Sequence, residues 1–267
     1  MKISVIIPSY KPQSYLWECL DSLCAQTFSK DDFEVIIVLN GCNEPFNSAI
    51  QEYINCHSDV QWRYIQTDQG GVSNARNIAL DVAQGDYIAF VDDDDYVSNK
   101  YLQSMYDKAS KDLIVIACPY AFKDGDAHEL GYRITDEYHK IASRGIQSSS
   151  NARKFLSGPW MKLIPMNYIN GRRFNTKFKV GEDSLFLFSI SDKFNNVDFT
   201  DESARYFRRY RTNSAITIKK SKSFLVSNAI HLCMEYSRIY FGNFGKYSFK
   251  RYTLAIMGTI KGAIVNM

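Results

Sequence analysis

A chain of 267 residues, 45% hydrophobic and 23% charged, can bury a sizeable core, and its even composition excludes disordered and collagen-like classes. The net charge is +3, yet residues 212–267 carry eight Lys/Arg against the single acid Glu235, and +3 less +7 leaves −4 on residues 1–211. That split suggests a cation site in the body and an anionic surface or phosphate near the tail, and it does not mark a nucleic-acid binder.

Ile3 to Ile7 reads as a buried strand stopped by Pro8. A helix over 15–26 follows, with Leu16, Leu20 and Leu23 at helical spacing. The apolar run 33–39 is a second strand closed by Asn40-Gly41, and a helix near 47–55 leads to a third strand at 62–65. Gly70-Gly71 opens a helix with Ala75, Ile78, Ala79 and Val82 on one face. Next come a strand at 87–91, a helix near 100–110 and a strand at 113–117. Alternating strands and helices with short connections predict an α/β fold with a doubly wound, mainly parallel, Rossmann-like sheet. Residues 120–150 are polar and read as loop, ending in a helix cap at 148–151 before a short helix at 152–156. An α+β half is expected from there to about residue 211, with strands at 161–164, 197–200 and 205–210 and a helix over 183–194. Residues 222–265 read as helical, with Asn228, His231, Glu235 and Arg238 on one face and Leu225, Ile230, Met234 and Ile239 around the rest. Six scattered cysteines, with no C-x-x-C pair, read as reduced thiols of a cytosolic protein, and the N-terminus reads as neither signal peptide nor membrane span.

Four stretches carry chemistry. Asp92 to Asp95 directly follow the strand at 87–91. Like charges so close are costly unless they face water or a cation, and open α/β sheets bind ligands beyond the carboxyl ends of their strands. A solvated acidic turn is the ordinary alternative. Glu182-Asp183 form a second acidic pair ahead of an apolar helix, where acids commonly just complement the helix dipole. Arg76 lies in the first turns of its helix, and both Arg and helix N-termini bind anions, so a phosphate is its sharper reading. Trp160-Met161-Lys162 places an aromatic ring just before the 161–164 strand and a cation inside it.

Read together, these stretches resemble the family 2 glycosyltransferases of the GT-A fold. The likeness runs through Val5-Ile6-Ile7-Pro8-Ser9-Tyr10, Cys19-Leu20-Asp21-Ser22-Leu23 with Gln26-Thr27, Gly71-Val72-Ser73 with Ala75-Arg76-Asn77, Ala83-Gln84-Gly85-Asp86-Tyr87 with Phe90 to Asp95, Pro159 to Leu163, Gly181-Glu182-Asp183 and Tyr210-Arg211 with Ser214. Seven motifs in order over residues 1–215 are specific, although each alone is weak. Two departures stand out. Asn40 occupies the place of an Asp that contacts uracil, and its amide can still pair with a base edge. Lys11 replaces the Asn usual after the tyrosine.

The resemblance implies inverting transfer from a nucleotide-diphosphate sugar, a UDP-sugar by default, to an acceptor hydroxyl, with Mn²⁺ or Mg²⁺ as cofactor. It implies Asp94 as direct metal ligand with Asp92 beside it, and Asp92 and Asp93 against the donor. Pro8, Ser9, Tyr10 and Asn40 are implied at the nucleotide. Arg76 and Arg211 fall at the donor's phosphates, and Lys162 shares that task. It implies Asp183 as catalytic base, with Glu182 as acceptor contact or runner-up base, and Trp160 and Lys162 toward a glycan or lipid-linked acceptor. The division expected is a catalytic domain over 1–215, with a nucleotide-sugar half at 1–119 and an acceptor half at 120–215, and a helical extension over 216–267. Capsule, O-antigen or other surface-glycan synthesis is the expected setting, in the cytoplasm or at the inner membrane face, which the basic aromatic tail suits. A sugar nucleotidyltransferase is disfavoured because Pro8 to Pro12 lacks a glycine-rich phosphate loop. A non-catalytic nucleotide-sugar module is disfavoured by two separate acidic groups.

Overall fold

The computed structural model describes residues 1–211 and 220–265, so Ser214 and the 215/216 division lie outside the described residues. In chain order the first half runs β1 (Ile3–Ser9), α1 (Tyr15–Cys24), β2 (Phe33–Asn40), α2 (Phe46–Cys56), β3 (Gln61–Thr67), α3 (Val72–Val82), β4 (Tyr87–Phe90), β5 (Tyr96–Val97), α4 (Tyr101–Asp107) and β6 (Ile114–Ile116). The second half runs β7 (Cys118–Lys123), β8 (Asp126–Glu129), α5 (Arg133–Ile141), β9 (Gln147–Ser148), β10 (Lys162–Pro165), α6 (Met166–Ile169), α7 (Glu182–Ser189), β11 (Asn196–Phe199), β12 (Arg205–Tyr210), α8 (Lys222–Gly242) and α9 (Phe249–Val265).

The main sheet has the order β3-β2-β1-β4-β10-β6-β11-β9. β1 and β2 are buried along their whole length, which is why they read as unbroken apolar runs. The chain builds β1, β2 and β3 outward in parallel, and α3 then carries it back so that β4 pairs with β1 on the other side. The strand order therefore reverses between β1 and β4, and their carboxyl ends frame the crevice. Pro8 does not stop β1; it lies inside the strand, beyond the last residue paired with β4, where a missing N–H costs no ladder bond.

β10 enters antiparallel between β4 and β6, with Leu163 opposite Ala89. Because it runs the other way, its first residues lie beside the end of β4, and Trp160 bridges Phe90. The sheet is thus mixed beyond β4, and its parallel part is the half expected.

Residues 118–141 are not loop. β7 pairs in parallel with β12, Arg205 opposite Cys118, in a second sheet ordered β5-β12-β7-β8, and α5 follows. β5 comes directly after the aspartates and pairs with β12, so β12 carries Arg209 and Arg211 back to the acidic corner. The expected 152–156 helix is a short 3₁₀ turn over Arg153–Phe155.

Behind the site, Ala229, Leu232, Tyr236 and Tyr240 form the buried face of α8, whereas Ile230 and Met234 are exposed, which corrects the face read from the sequence. Gly85 has no room for a side chain. An added Cβ would sit 2.4 Å from Ser4 N, and the Gly85 amide itself donates to Ser4 Oγ at 2.8 Å. Gly85→Ala is expected to cost about 3 kcal/mol in a chemical-denaturation midpoint at unchanged m-value, since the obstacle is backbone and cannot rotate away.

Candidate active site

β4 ends at Phe90, Val91 N donates to Ile6 O at 3.0 Å, and the four aspartates emerge at the β1/β4 switch. Each carboxylate has its own partner. Asp92 Oδ1 accepts from Arg76 Nη2 at 2.9 Å, Asp93 Oδ2 from Ser9 Oγ at 2.7 Å, and Asp94 Oδ2 from Arg211 Nε at 2.7 Å. Asp95 is buried and accepts from Arg209 N at 2.8 Å and from the Tyr206 hydroxyl. The same Tyr206 oxygen accepts from Asp92 N at 3.1 Å, which ties the run to β12. Giving each of the four carboxyl groups its own donor is what makes the run tolerable. Burial lifts Asp93 to about 7 against the Ser9 hydrogen bond. Burial likewise raises Asp94, with Arg211 opposing, and raises Asp95 further.

The second acid comes from α7. Gly181 takes φ +86°, a left-handed turn open to glycine, and the helix then begins with Glu182 and Asp183. Arg76, with 3% of its side chain exposed, donates from Nη1 to Asp183 Oδ1 at 2.6 Å while Nη2 holds Asp92. Its guanidinium lies 5.2 Å from the Phe174 ring centroid, and among the described residues its buried Nε has no partner. Burial works against the Arg76 charge, but Asp183 and Asp92 outweigh it and hold the guanidinium above its ordinary range. Burial raises Asp183, with Arg76 opposing, and burial plus the Asp183 charge lifts Glu182 to about 7. Sequence suggests a phosphate anchor at Arg76; the structure instead commits its guanidinium to two carboxylates across the cleft.

Two other expected contacts also find different partners. Asn40 is buried, with Nδ2 donating to Ser9 O at 2.7 Å and Oδ1 accepting from Gly71 N at 2.8 Å. Both ends of the amide bolt β1, β2 and α3 together, and neither is presented to a nucleobase. Lys162 is fully buried, donating to Gly158 O at 2.7 Å and Trp160 O at 3.1 Å, so its ammonium has no surface for a phosphate or an acceptor. Burial brings its pKa down to about 7, with Asp183 opposing.

The remaining residues gather near the crevice. Pro8 and Ser9 end β1, and Tyr10 is exposed, with the Lys11 ammonium 5.4 Å from its ring centroid. Half-buried Trp160 packs on Tyr206 and on the Arg208 guanidinium, 5.0 Å from its ring centroid. Arg211 adds a contact at 3.1 Å to Tyr15 Oη. Sequence reasoning missed Arg209, which donates to Asp94 O, Asp124 and Glu18 at 2.9, 2.8 and 2.6 Å. Strand alternation was the available signal: once Arg211 is placed on the acidic corner, Arg209 two residues earlier shares its face.

Carboxyls lifted to about 7 make stability pH-dependent. Unfolded, Asp93 and Glu182 ionise near pH 4, while the folded chain keeps both protons until about 7. Between those values the unfolded state has fewer protons, so stability falls as pH rises and is level above the folded pKa. The thermal midpoint is expected to drop between pH 4.5 and 7.5, and Glu182→Gln should reduce that drop; an unchanged slope in the variant would remove Glu182 from the account.

Among the described residues no three His, Cys, Asp or Glu converge as a metal cage. Asp92 and Asp94 nevertheless supply hard oxygen donors at the end of one strand, and Mg²⁺ or Mn²⁺ held partly by substrate phosphates needs only one or two carboxylates. The donor set fits such an ion and is wrong for Zn²⁺.

An acidic corner at the β1/β4 switch, faced by a second acid at a helix start, defines an α/β domain of the GT-A glycosyltransferase class. The chain belongs to glycosyl transferase family 2, whose model matches residues 4–194. It is 35% identical over 223 residues to the uncharacterized glycosyltransferase EpsJ of Bacillus subtilis (strain 168), covering 81% of this chain and 63% of EpsJ. It is 28% identical over 214 residues to the poly(ribitol-phosphate) beta-N-acetylglucosaminyltransferase TarS of Staphylococcus aureus (strain Mu50 / ATCC 700699), covering 79% of this chain and 36% of TarS. The chain therefore spans less than two-thirds of either relative. The S. aureus TarS 1–349 structure with UDP-GlcNAc superposes with a TM-score of 0.73 at 20% identity, covering 97% of this chain and 72% of that one. The mannosyltransferase PcManGT of Pyrobaculum calidifontis, solved with GDP-Man and Mn²⁺, gives a TM-score of 0.62 at 16% identity, covering 99% of this chain and 74% of that one.

Proposed function

We propose that this protein transfers a sugar from a nucleotide-diphosphate sugar to an acceptor hydroxyl by inverting single displacement, in the synthesis of a bacterial surface glycan. One observation carries the reading: Arg76 joins Asp92, on the donor side of the crevice, to Asp183, on the opposite side, at 2.9 and 2.6 Å. A displacement with inversion needs a charge-stabilising group at the leaving diphosphate and a base on the other face of the anomeric carbon.

Each residue then has a task. Asp183 takes the acceptor's hydroxyl proton; Arg76 occupies Oδ1, and among the described residues no group hydrogen-bonds Oδ2. Ser9 and Arg209 hold Asp93 and the Asp94 backbone in place. Arg211, paired with Asp94, would supply positive charge to the donor's diphosphate. Asp94 and Asp92 would hold the divalent ion, which when bound offsets charge on the leaving diphosphate. UDP-GlcNAc, the ligand of the TarS structure, is the first donor to test, and poly(ribitol phosphate), named in that relative's activity, the first acceptor. A cytoplasmic site at the inner membrane face suits a lipid-linked acceptor.

A calorimetric screen of nucleotide-sugars with and without Mn²⁺ tests this. Tighter UDP-sugar binding with Mn²⁺ is expected, and Asp94→Ala should remove at least about tenfold of that gain. Equal affinity in Mn²⁺ and in chelator would refute the metal assignment, and no binding of any nucleotide-sugar would refute the reading.

A further inference from the structure

The α8–α9 hairpin closes one face on the body. Leu232, Tyr236 and Tyr240 bury against Phe178, Leu185 and Phe188, Asn228 Nδ2 donates to Val180 O at 3.1 Å, and the Tyr236 and Ser184 hydroxyls lie 3.0 Å apart. Among the described residues the opposite face has no such cover. Val226, Ile230, Met234 and Phe241 follow one another at helical spacing down α8, and Met257, Ile260 and Ile264 down α9, each between 43% and 65% exposed. A groove of about 850 Å³ runs between the two rows, and Phe244 and Phe249 extend the apolar surface around the turn. Single exposed apolar residues are ordinary; a stripe two helices wide marks a docking surface.

The charges beside the stripe select what docks. Lys222, Arg238, Lys246, Lys250 and Lys261 are exposed on the same helices and turn. Residues 220–265 carry seven Lys/Arg against one acid, Glu235, which Arg238 pairs at 2.9 Å. A second copy docked about a twofold axis would set these cations against one another. An anionic bilayer instead offers headgroup phosphates to the lysines and acyl chains to the stripe. Among the described residues no helix is long and apolar enough to cross a membrane, so the hairpin lies on the surface. We propose that the outer face of α8–α9 docks on an anionic phospholipid surface.

The hairpin's inner face also braces the base. Leu232 Cδ1 lies 2.6 Å from where a Cβ on Gly181 would stand, directly before Glu182 and Asp183. Docking would therefore bear, through Leu232, on the turn that carries the base, a step that rests on the glycosyltransferase reading.

Flotation with phosphatidylglycerol-containing vesicles, and with phosphatidylcholine alone, tests the surface. The protein is expected to float with the anionic vesicles at low salt and to release at about 0.5 M salt. Met234→Glu/Ile260→Glu should lower the bound fraction at least about tenfold, with the unfolding midpoint and UDP-GlcNAc affinity unchanged. Protein left at the bottom with anionic vesicles at low salt overturns the proposal. So does a dimer in analytical ultracentrifugation that the double variant dissociates, which would assign the face to a second copy. Flotation that persists without any donor binding supports the docking and removes the transferase reading instead.

Discussion

Asp183→Asn is expected to lower UDP release with acceptor by about 10³-fold while donor affinity stays within about a factor of two. The substitution keeps the side chain's shape, and the amide oxygen can still accept from Arg76 Nη1, so α7 and the Asp92 corner keep their places. What is lost is the charge that receives the hydroxyl proton. Glu182 is the internal control, because it stands next in the chain with a pKa near 7 but has only 9% exposure. Glu182→Gln is expected to cost less than about tenfold. If initial rates show the reverse order, with Asp183→Asn retaining most activity, the base is Glu182 and the reaction face must be redrawn around it.

The parallel half of the fold was legible because its strands are covered on both sides, and Val5 to Ile7, Val35 to Leu39 and Ile88 to Val91 therefore show as continuous apolar runs. The acidic corner was legible for the same reason, since an abrupt change from buried strand to four aspartates has few cheap explanations. The strands β7 and β8 were hidden: β7 opens Cys118-Pro119, alternates only weakly, and pairs with a segment almost ninety positions later, so nothing local announces it. Helix α8 was legible as a helix but not in its orientation, because Ile230 and Met234 are as apolar as Leu232 and only packing separates them.

Side-chain destinations were the least legible part of the site. Asn40 reads as a base contact from its position in the motif, yet the amide is spent on Ser9 O and Gly71 N, since a strand end meeting a glycine turn leaves backbone groups in need of partners. Lys162 reads as an anion binder, and the strand that carries it turns it inward instead. In each case the residue type permits both outcomes, and the choice depends on backbone groups from another part of the chain.

Arg76 is the sharpest instance. Its assignment as a bridge between carboxylates makes a different prediction from a phosphate anchor. Arg76→Met should destabilise the fold by roughly 1–3 kcal/mol, because it removes the buried cation and leaves the part-exposed Asp92 and Asp183 facing each other unpaired. Loss of a phosphate anchor would leave stability nearly untouched and weaken donor binding. The kinetic signatures differ as well. A bridge that fixes the base relative to the donor should lower kcat by at least about 10²-fold with a small change in the donor's KM, whereas an anchor should act mainly on KM. Arg76→Met/Asp183→Asn should recover part of the stability, since the second substitution removes one of the two stranded charges, and should recover no activity. Additive losses in that cycle, or a donor KM raised in step with the fall in turnover, would return Arg76 to the diphosphate and leave Asp183 oriented by α7 alone.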